Sequence, residues 1–353
     1  MQLQRPDLSE VVPAVRAYIE ALEAEIERLR PRRQRRRHTT QAEAPIVGPV
    51  LEPNEPPTTM GLITLSRTGV AKRTLRHLYS RERRGGMGIF DLETTEKNPP
   101  KNLMVVNENE TLLLISNFAR AYHLPVSKLE ASPVRFRGRE LSKFLVLDRG
   151  ERISLVLPNP TRGALVLVTK TGQVRRYQHR HFSSTMGPGM LLYSLAQFGS
   201  PAAACLTIPD DELFIATREG RAIRFAQEQI PASGCPGIRL KKDDAIVAIT
   251  PVRENSSVFL LTADGKGTIR LMEGFRAHKS PGAAGKVAMK SNQIVDAVTV
   301  DHTDDLFIIS RLSKIVRFAA AEVPSKTGIV QGVHCISLRG DEAVAVAAGR
   351  VIR

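Results

Sequence analysis

The 353-residue chain has no tryptophan, 5% aromatic residues in all and three cysteines. So few aromatics exclude the successive base-stacking platforms on which single-strand binders rely. Cys205, Cys235 and Cys335 lie far apart, which points to a reducing cytoplasm rather than a disulfide framework. No hydrophobic run approaches the length of a membrane span, so no membrane partner is expected, and Met1-Gln2-Leu3-Gln4-Arg5 lacks the apolar core of a signal peptide. Without a secretory route, Asn255-Ser256-Ser257 reads as a turn and not a glycan acceptor. Acidic residues are also in deficit: 36 Asp+Glu face 51 Lys+Arg, leaving +15. Residues 1 to 60 hold nine Arg, no Lys and nine acidic residues, so the entire excess belongs to residues 61 to 353. A domain this basic accumulates on nucleic acid or another polyanion.

What the chain does contain is one phrase repeated six times. An apolar strand leads to a polar turn, usually closed by Gly, and a second strand carries a cation, as in Leu65-Ser66-Arg67-Thr68-Gly69-Val70-Ala71-Lys72-Arg73. Copies run from Val168 to Arg176, Ala216 to Arg224 and Leu261 to Arg270; degenerate ones run from Ile115 to His123, with Ala119 at the turn, and from Ile309 to Arg317, with Ser313 there. The turn positions 69, 119, 172, 220, 265 and 313 are spaced by 50, 53, 48, 45 and 48 residues. Short Val/Ile/Leu/Phe runs broken by Gly, Pro, Asn and Asp are strands, so the period marks a blade and not a helical repeat. The expected fold is all-β, a six-bladed propeller-like ring over 60 to 353.

Two segments precede it. Val15, Ile19, Leu22, Ile26 and Leu29 recur at helical spacing within residues 1 to 31, giving a helix whose apolar seam suits a partner helix, a second copy or its own domain. Residues 32 to 59 form a linker, Arg-rich and then Pro-rich; the cluster from Arg30 to Arg37 suits phosphates or is a solvated charge run.

Four positions after the turn residue stand Arg73, His123, Arg176, Arg224 and Arg317; Arg270 stands five after, in a copy that reads as holding one extra residue. One cation per blade suggests a ring that neutralises successive phosphates. Lys72, Arg76, Arg175 and Arg221 are further candidates, and the alternative role for all of them is pairing with carboxylates across strands. With no recognition helix in view, the binding expected is to duplex DNA without base readout.

The stretch Tyr79-Ser80-Arg81-Glu82-Arg83-Arg84-Gly85-Gly86-Met87-Gly88-Ile89 resembles the box in the first blade of the C-terminal domain of the bacterial DNA gyrase A protein, whose usual form is Gln-Arg-Arg-Gly-Gly-Lys-Gly. The departures are Glu82 for Gln and Met87 for Lys. The Thr-x-x-Gly turns are similar to the repeats of that domain and of its topoisomerase IV counterpart. The resemblance implies a β-pinwheel, with strands exchanged between blades, that wraps duplex DNA on a basic outer rim beside a type IIA topoisomerase, associated with the bacterial nucleoid. It implies phosphate contacts at Arg83 and Arg84, and close backbone approach at Gly85, Gly86 and Gly88. The altered box predicts bending without full supercoiling capacity. A stand-alone pinwheel without the breakage-reunion domain is expected, because residues 1 to 60 have no room for one and none of the five tyrosines suits DNA cleavage.

Enzyme motifs are wanting. Gly285-Lys286-Val287 lacks the spacing and hydroxyl of a phosphate-binding loop, and His179 and His181 have no evident further metal ligands. No catalytic residue, metal or cofactor is expected. A second reading is a propeller scaffold for an acidic protein partner, with DNA contact incidental.

Overall fold

The computed structural model describes residues 55 to 350, apart from 279 and 292, together with Val12, Val15, Arg16, Ile19, Glu20 and Leu22. Each repeat forms a hairpin: Met60–Ser66 with Val70–Leu75 in blade 1, Thr111–Ser116 with Arg120–Pro125 in blade 2, Ala164–Thr169 with Gln173–Gln178 in blade 3, Glu212–Thr217 with Arg221–Ala226 in blade 4, Ser257–Thr262 with Lys266–Leu271 in blade 5, and Asp304–Ser310 with Lys314–Ala319 in blade 6. In all six the turn residue donates its N–H to the carbonyl of the Ser or Thr three positions earlier. This geometry needs a left-handed backbone, with φ of +77° at Gly220 and, at the cost of strain, +56° at Ala119 and +67° at Ser313. The repeated glycine is therefore a requirement of the turn.

A third strand pairs on the far side of each hairpin: Pro100–Asn107, Ile153–Pro158, Pro201–Thr207, Ile246–Val252, Ile294–Val300 and Ala343–Arg350, in blade order. These six stand side by side around an axis, the last packed against the first, so the ring closes. They enclose a channel of about 450 Å³ lined by residues such as Ala204, Val247, Val298 and Val344. Pro201–Thr207 alternates in burial because one of its faces looks into the channel. Hairpin strands such as Ala164–Thr169 are buried throughout, since sheets stack on both faces. The core thus lies between blades; Phe214, Ala216 and Ala222 of blade 4, for example, pack on Val258, Leu260 and Met272 of blade 5. Each large side chain buried this way contributes about 1.5–3 kcal/mol.

The fourth, outermost strand of every blade comes from another repeat. Arg139–Glu140 adds to blade 1, Met190–Leu191 to blade 2, Cys235–Pro236 to blade 3, Lys286–Val287 to blade 4 and Val333–His334 to blade 5. Ile89–Phe90, lying between the hairpin and third strand of blade 1, adds to blade 6 and completes the circle of exchanges. A glycine precedes each of these strands, at 88, 138, 189, 234, 285 and 332. At Gly88 and Gly285 a β-carbon would stand 2.5 Å from the carbonyl oxygens of Ile315 and Ala222. Only glycine lets the incoming strand approach so closely. The all-β, six-bladed ring read from the repeats, with the strand exchange that the resemblance implies, is the fold observed.

The chain divides into compact units after Leu51. In the first, Val15, Arg16, Ile19, Glu20 and Leu22 are helical, with Arg16 Nε 3.1 Å from Glu20. The Arg30 to Arg37 cluster and linker residues 32 to 54 lie outside the described residues. The ring begins earlier than residue 60, because Glu55 is buried between Arg76 and Arg317. No described helix is long and apolar enough to cross a membrane.

Candidate nucleic-acid interface

The cations that follow the turns do not form an exposed ring. Arg73, Arg224, Arg270 and Arg317, like Lys72 and Arg76, are at most 7% exposed. The position four after the turn lies mid-strand on the face that stacks against the next blade, so the guanidinium is enclosed between two sheets. Arg224 pairs with Glu212 at 2.5 Å and Glu254 at 2.7 Å, and its Nη1 donates to the carbonyls of Met272 and Phe275 in blade 5. Arg317 repeats the plan across the ring closure: it pairs with Asp305 at 2.6 Å and Glu55 at 2.7 Å, and donates to the carbonyls of Arg76 and Tyr79 in blade 1. Arg73 reaches Glu108, ahead of blade 2, at 3.3 Å. Arg176, partly exposed, stands 4.0 Å from Glu228 of blade 4. These arginines fasten one blade to the next.

Arg270 is a separate correction. Leu261 pairs with Gly267 just as Ala216 pairs with Ala222, so blade 5 holds no extra residue and Ile269 occupies the frame position. Arg270 therefore faces the opposite way, over the Phe275 ring, where burial lowers its pKa. Lys72 is sealed against Asp91 at 2.5 Å beside Tyr79 and Thr74. Burial pulls its ammonium pKa down, and Asp91 pulls it partly back. Arg76 is enclosed with Glu55; burial pushes the Glu55 carboxyl up, but Arg76 and Arg317 overcome this and hold it below its ordinary value.

The box serves the ring closure. The N–H groups of Gly85 and Gly86 donate to the carbonyls of Cys335 and Arg83, and the Gly88 N–H lies 3.4 Å from the Glu82 carboxylate. Glu82 folds over Gly86, where a β-carbon would meet its Oε2 at 2.2 Å. The close backbone approach that these glycines permit is thus to blades 5 and 6. Arg84 is half-buried and donates to the carbonyls of Glu322 and His334. Arg83 is exposed. Arg175 and Arg221 are partly exposed but hold incoming loops, through the carbonyl of Ser233 and those of Ala284 and Gly285.

One set of exposed cations lies on the outermost strands and the loops that carry them, while others, such as Arg67, Lys170, Arg218 and Lys242, lie near the hairpin turns and strand ends. Arg83 belongs to the segment that completes blade 6; Arg135, Arg137 and Arg139 to that of blade 1; Arg239 to that of blade 3; Arg276 and Lys286 to that of blade 4; and Lys326 to that of blade 5. Arg83, Arg135, Arg239, Arg276 and Lys326 make no ion pair among the described residues. The segment that completes blade 2, from Ser183 to Leu191, has no charged residue. A second cluster gathers near the turns, where burial and the charges of Lys170, Arg152 and Arg67 bring the Lys101 pKa down to about 8. Aligning the repeats on their hairpin turns misses the rim residues; the glycine ahead of each outer strand is the signal that finds them.

A family model described as "DNA gyrase C-terminal domain, beta-propeller" matches residues 211–253 and 304–348, which fall in blades 4 and 6. The DNA gyrase A protein of Ureaplasma parvum serovar 3 is 27% identical over 294 residues, 80% of this chain and 35% of that protein; its Escherichia coli K12 counterpart is 28% identical over 295 residues, 80% and 34%. The chain spans about a third of the length of these curated relatives. Among solved structures, a DNA gyrase A C-terminal domain superposes with a TM-score of 0.73 at 22% identity, over 82% of this chain and 99% of that one. The C-terminal domain of DNA topoisomerase IV gives 0.58 at 18%, over 83% and 94%. The ring is therefore similar in sequence to the C-terminal part of the DNA gyrase A protein and has the fold of its C-terminal domain.

Proposed function

We propose that the ring binds duplex DNA on its outer rim, without base readout, and bends it in the service of a type IIA topoisomerase. The observation that carries this reading is the placement of solvent-facing guanidinium groups on the segments that carry the exchanged outer strands. They are densest on the two consecutive segments that complete blades 6 and 1, where Arg83, Arg135, Arg137 and Arg139 are exposed. A convex row of this kind offers each phosphate a partner and rewards curvature, which offsets the few kcal/mol that bending a short duplex costs. The gap at blade 2 marks where the duplex leaves the rim. The N-terminal helix joins the ring to a topoisomerase or to a second copy through its exposed Val15 and Leu22. Similarity to the DNA gyrase A protein supports the same assignment.

Duplex affinity measured between low and moderate salt is the test. Affinity should fall steeply with salt, and reversing the charges of Arg83, Arg239 and Arg276 should abolish most of it. A flat salt response, or charge reversal without effect, would sink the reading.

A further inference from the structure

A groove of about 440 Å³ opens on the rim between the strand that closes the ring and the segment that completes blade 1. Phe90 forms one wall. Phe90 is 50% exposed, and the Lys314 ammonium sits 5.6 Å from its ring centroid. Leu92 and Leu312 add apolar surface, and Arg135, Arg137 and Glu93 belong to the same lining. Arg135 holds a φ of +55°, a strained value for a residue with a side chain. The Arg137 guanidinium is 87% exposed, and its Nε lies a loose 3.7 Å from Glu93. The backbone beneath is fixed: Phe136 N–H donates to the Asp91 carbonyl, Glu93 N–H to the Phe136 carbonyl and Leu92 N–H to the Ser313 hydroxyl.

A half-exposed aromatic side chain that shares the lining of a preformed groove with two arginines suits a planar ring that carries phosphate. The volume lies within the roughly 300–1,000 Å³ of small-ligand sites. We infer that this groove receives one unpaired nucleobase, stacked on Phe90, with the adjoining phosphate held by Arg135 and Arg137. A base inside a continuous duplex has both faces covered by its neighbours, so the groove acts where stacking is interrupted. The low aromatic content excludes a train of such platforms but not a single one. The inference rests on the rim reading proposed above and adds to it a preference for duplexes with an unpaired base.

The full chain is titrated at one salt concentration with three duplexes of equal length: fully paired, with a single bulged 2-aminopurine, and with a single bulged abasic residue. The two bulges carry the same extra sugar-phosphate and differ only in the base, so their comparison tests the base. The 2-aminopurine bulge should bind about tenfold more tightly than the abasic bulge, with quenched fluorescence on stacking. Phe90→Ala should erase both the difference and the quench while affinity for the paired duplex stays unchanged. Phe90→Leu, which keeps most of the volume without the aromatic face, should do the same. Equal affinity for the two bulges, in a chain that binds the paired duplex, overturns the groove and leaves the rim reading standing. If no duplex binds, the rim reading fails and 2-aminopurine nucleotide monophosphate decides the groove alone. Quenching by the wild type but not by Phe90→Ala then sustains it, and no quenching overturns it.

Discussion

At the scale of single residues, a cation's sequence position says less about its role than the face of the strand it occupies. Arg224 and Arg83 are both arginines of the basic domain, yet one is enclosed by two carboxylates and two carbonyls and the other is in water. The carboxylate partners of Arg224 reach solvent, Glu254 at 75% exposure, so Arg224→Ala chiefly strands the carbonyls of Met272 and Phe275 and should cost about 1–3 kcal/mol in urea unfolding. Arg83→Ala should leave the unfolding midpoint in place, weaken duplex binding and reduce the salt slope by about one. The turn glycines divide in a similar way. A β-carbon at Gly69 meets nothing within 4 Å, so Gly69→Ala should cost only the left-handed strain, about 1–2 kcal/mol. At Gly220 the added carbon would also lie 2.3 Å from the Ser291 carbonyl and 2.5 Å from that of Met289. Gly220→Ala should therefore cost about 3 kcal/mol in the same measurement.

At the scale of elements, the blade is an exchange product, and one seam, between blades 6 and 1, must close the ring. Between blades 6 and 1 the apolar cluster is accompanied by buried polar groups: Lys72 with Asp91, and Arg317 with Asp305 and Glu55. Glu55 comes from the segment leading into the first hairpin, so that segment is part of the closure and not a free tether. Its folded pKa is below the ordinary carboxylate value of 4.5, so its stabilising contribution is complete above that pH and lost as pH falls through the lowered value. Glu55→Gln should lower the thermal midpoint at neutral pH, and its difference from the wild type should shrink as the pH is taken below about 4. A constant difference across that range would show that the ion pairs do not govern the seam. The hairpins could be read from the sequence because a strand, a turn and a strand lie within twenty residues. The partners of the outer strands could not, because each two-residue strand lies far along the chain from the hairpin it joins.

At the scale of the whole molecule, the ring has an outer rim that carries exposed cations and an inside with its own titration. Asp296 faces the channel, where burial raises its pKa to about 7 although the N–H groups of Val346 and Ala297 pull it back. The folded state therefore keeps a proton that the unfolded chain gives up, and this contribution is lost as pH rises from the usual carboxylate range through 7. Stability measured across that interval should decline, and Asp296→Asn should flatten the decline. On the outside, duplex affinity should rise with length until the cationic segments are all engaged and then level off, with a steeper salt slope for the longer duplexes. A short duplex that binds as well as a long one would mean that a single patch, and not the rim, makes the contact.

The six turns, the apolar strands between them and the location of the net charge were determined by the sequence alone, because each depends on residues that are neighbours along the chain. A left-handed turn selects glycine and a stacked strand selects aliphatics, whatever lies beyond them. Tertiary structure decided which cations meet solvent. The arginines spaced most regularly, Arg73, Arg224 and Arg317, recur because the same strand position faces the next blade in each repeat and in these blades fastens to it, so their period records packing. Arg135, Arg239 and Arg276 follow no fixed distance from the turns, because loops that only have to reach the outer edge are free to vary in length. Strand exchange carries them to the rim, and no local pattern announces it.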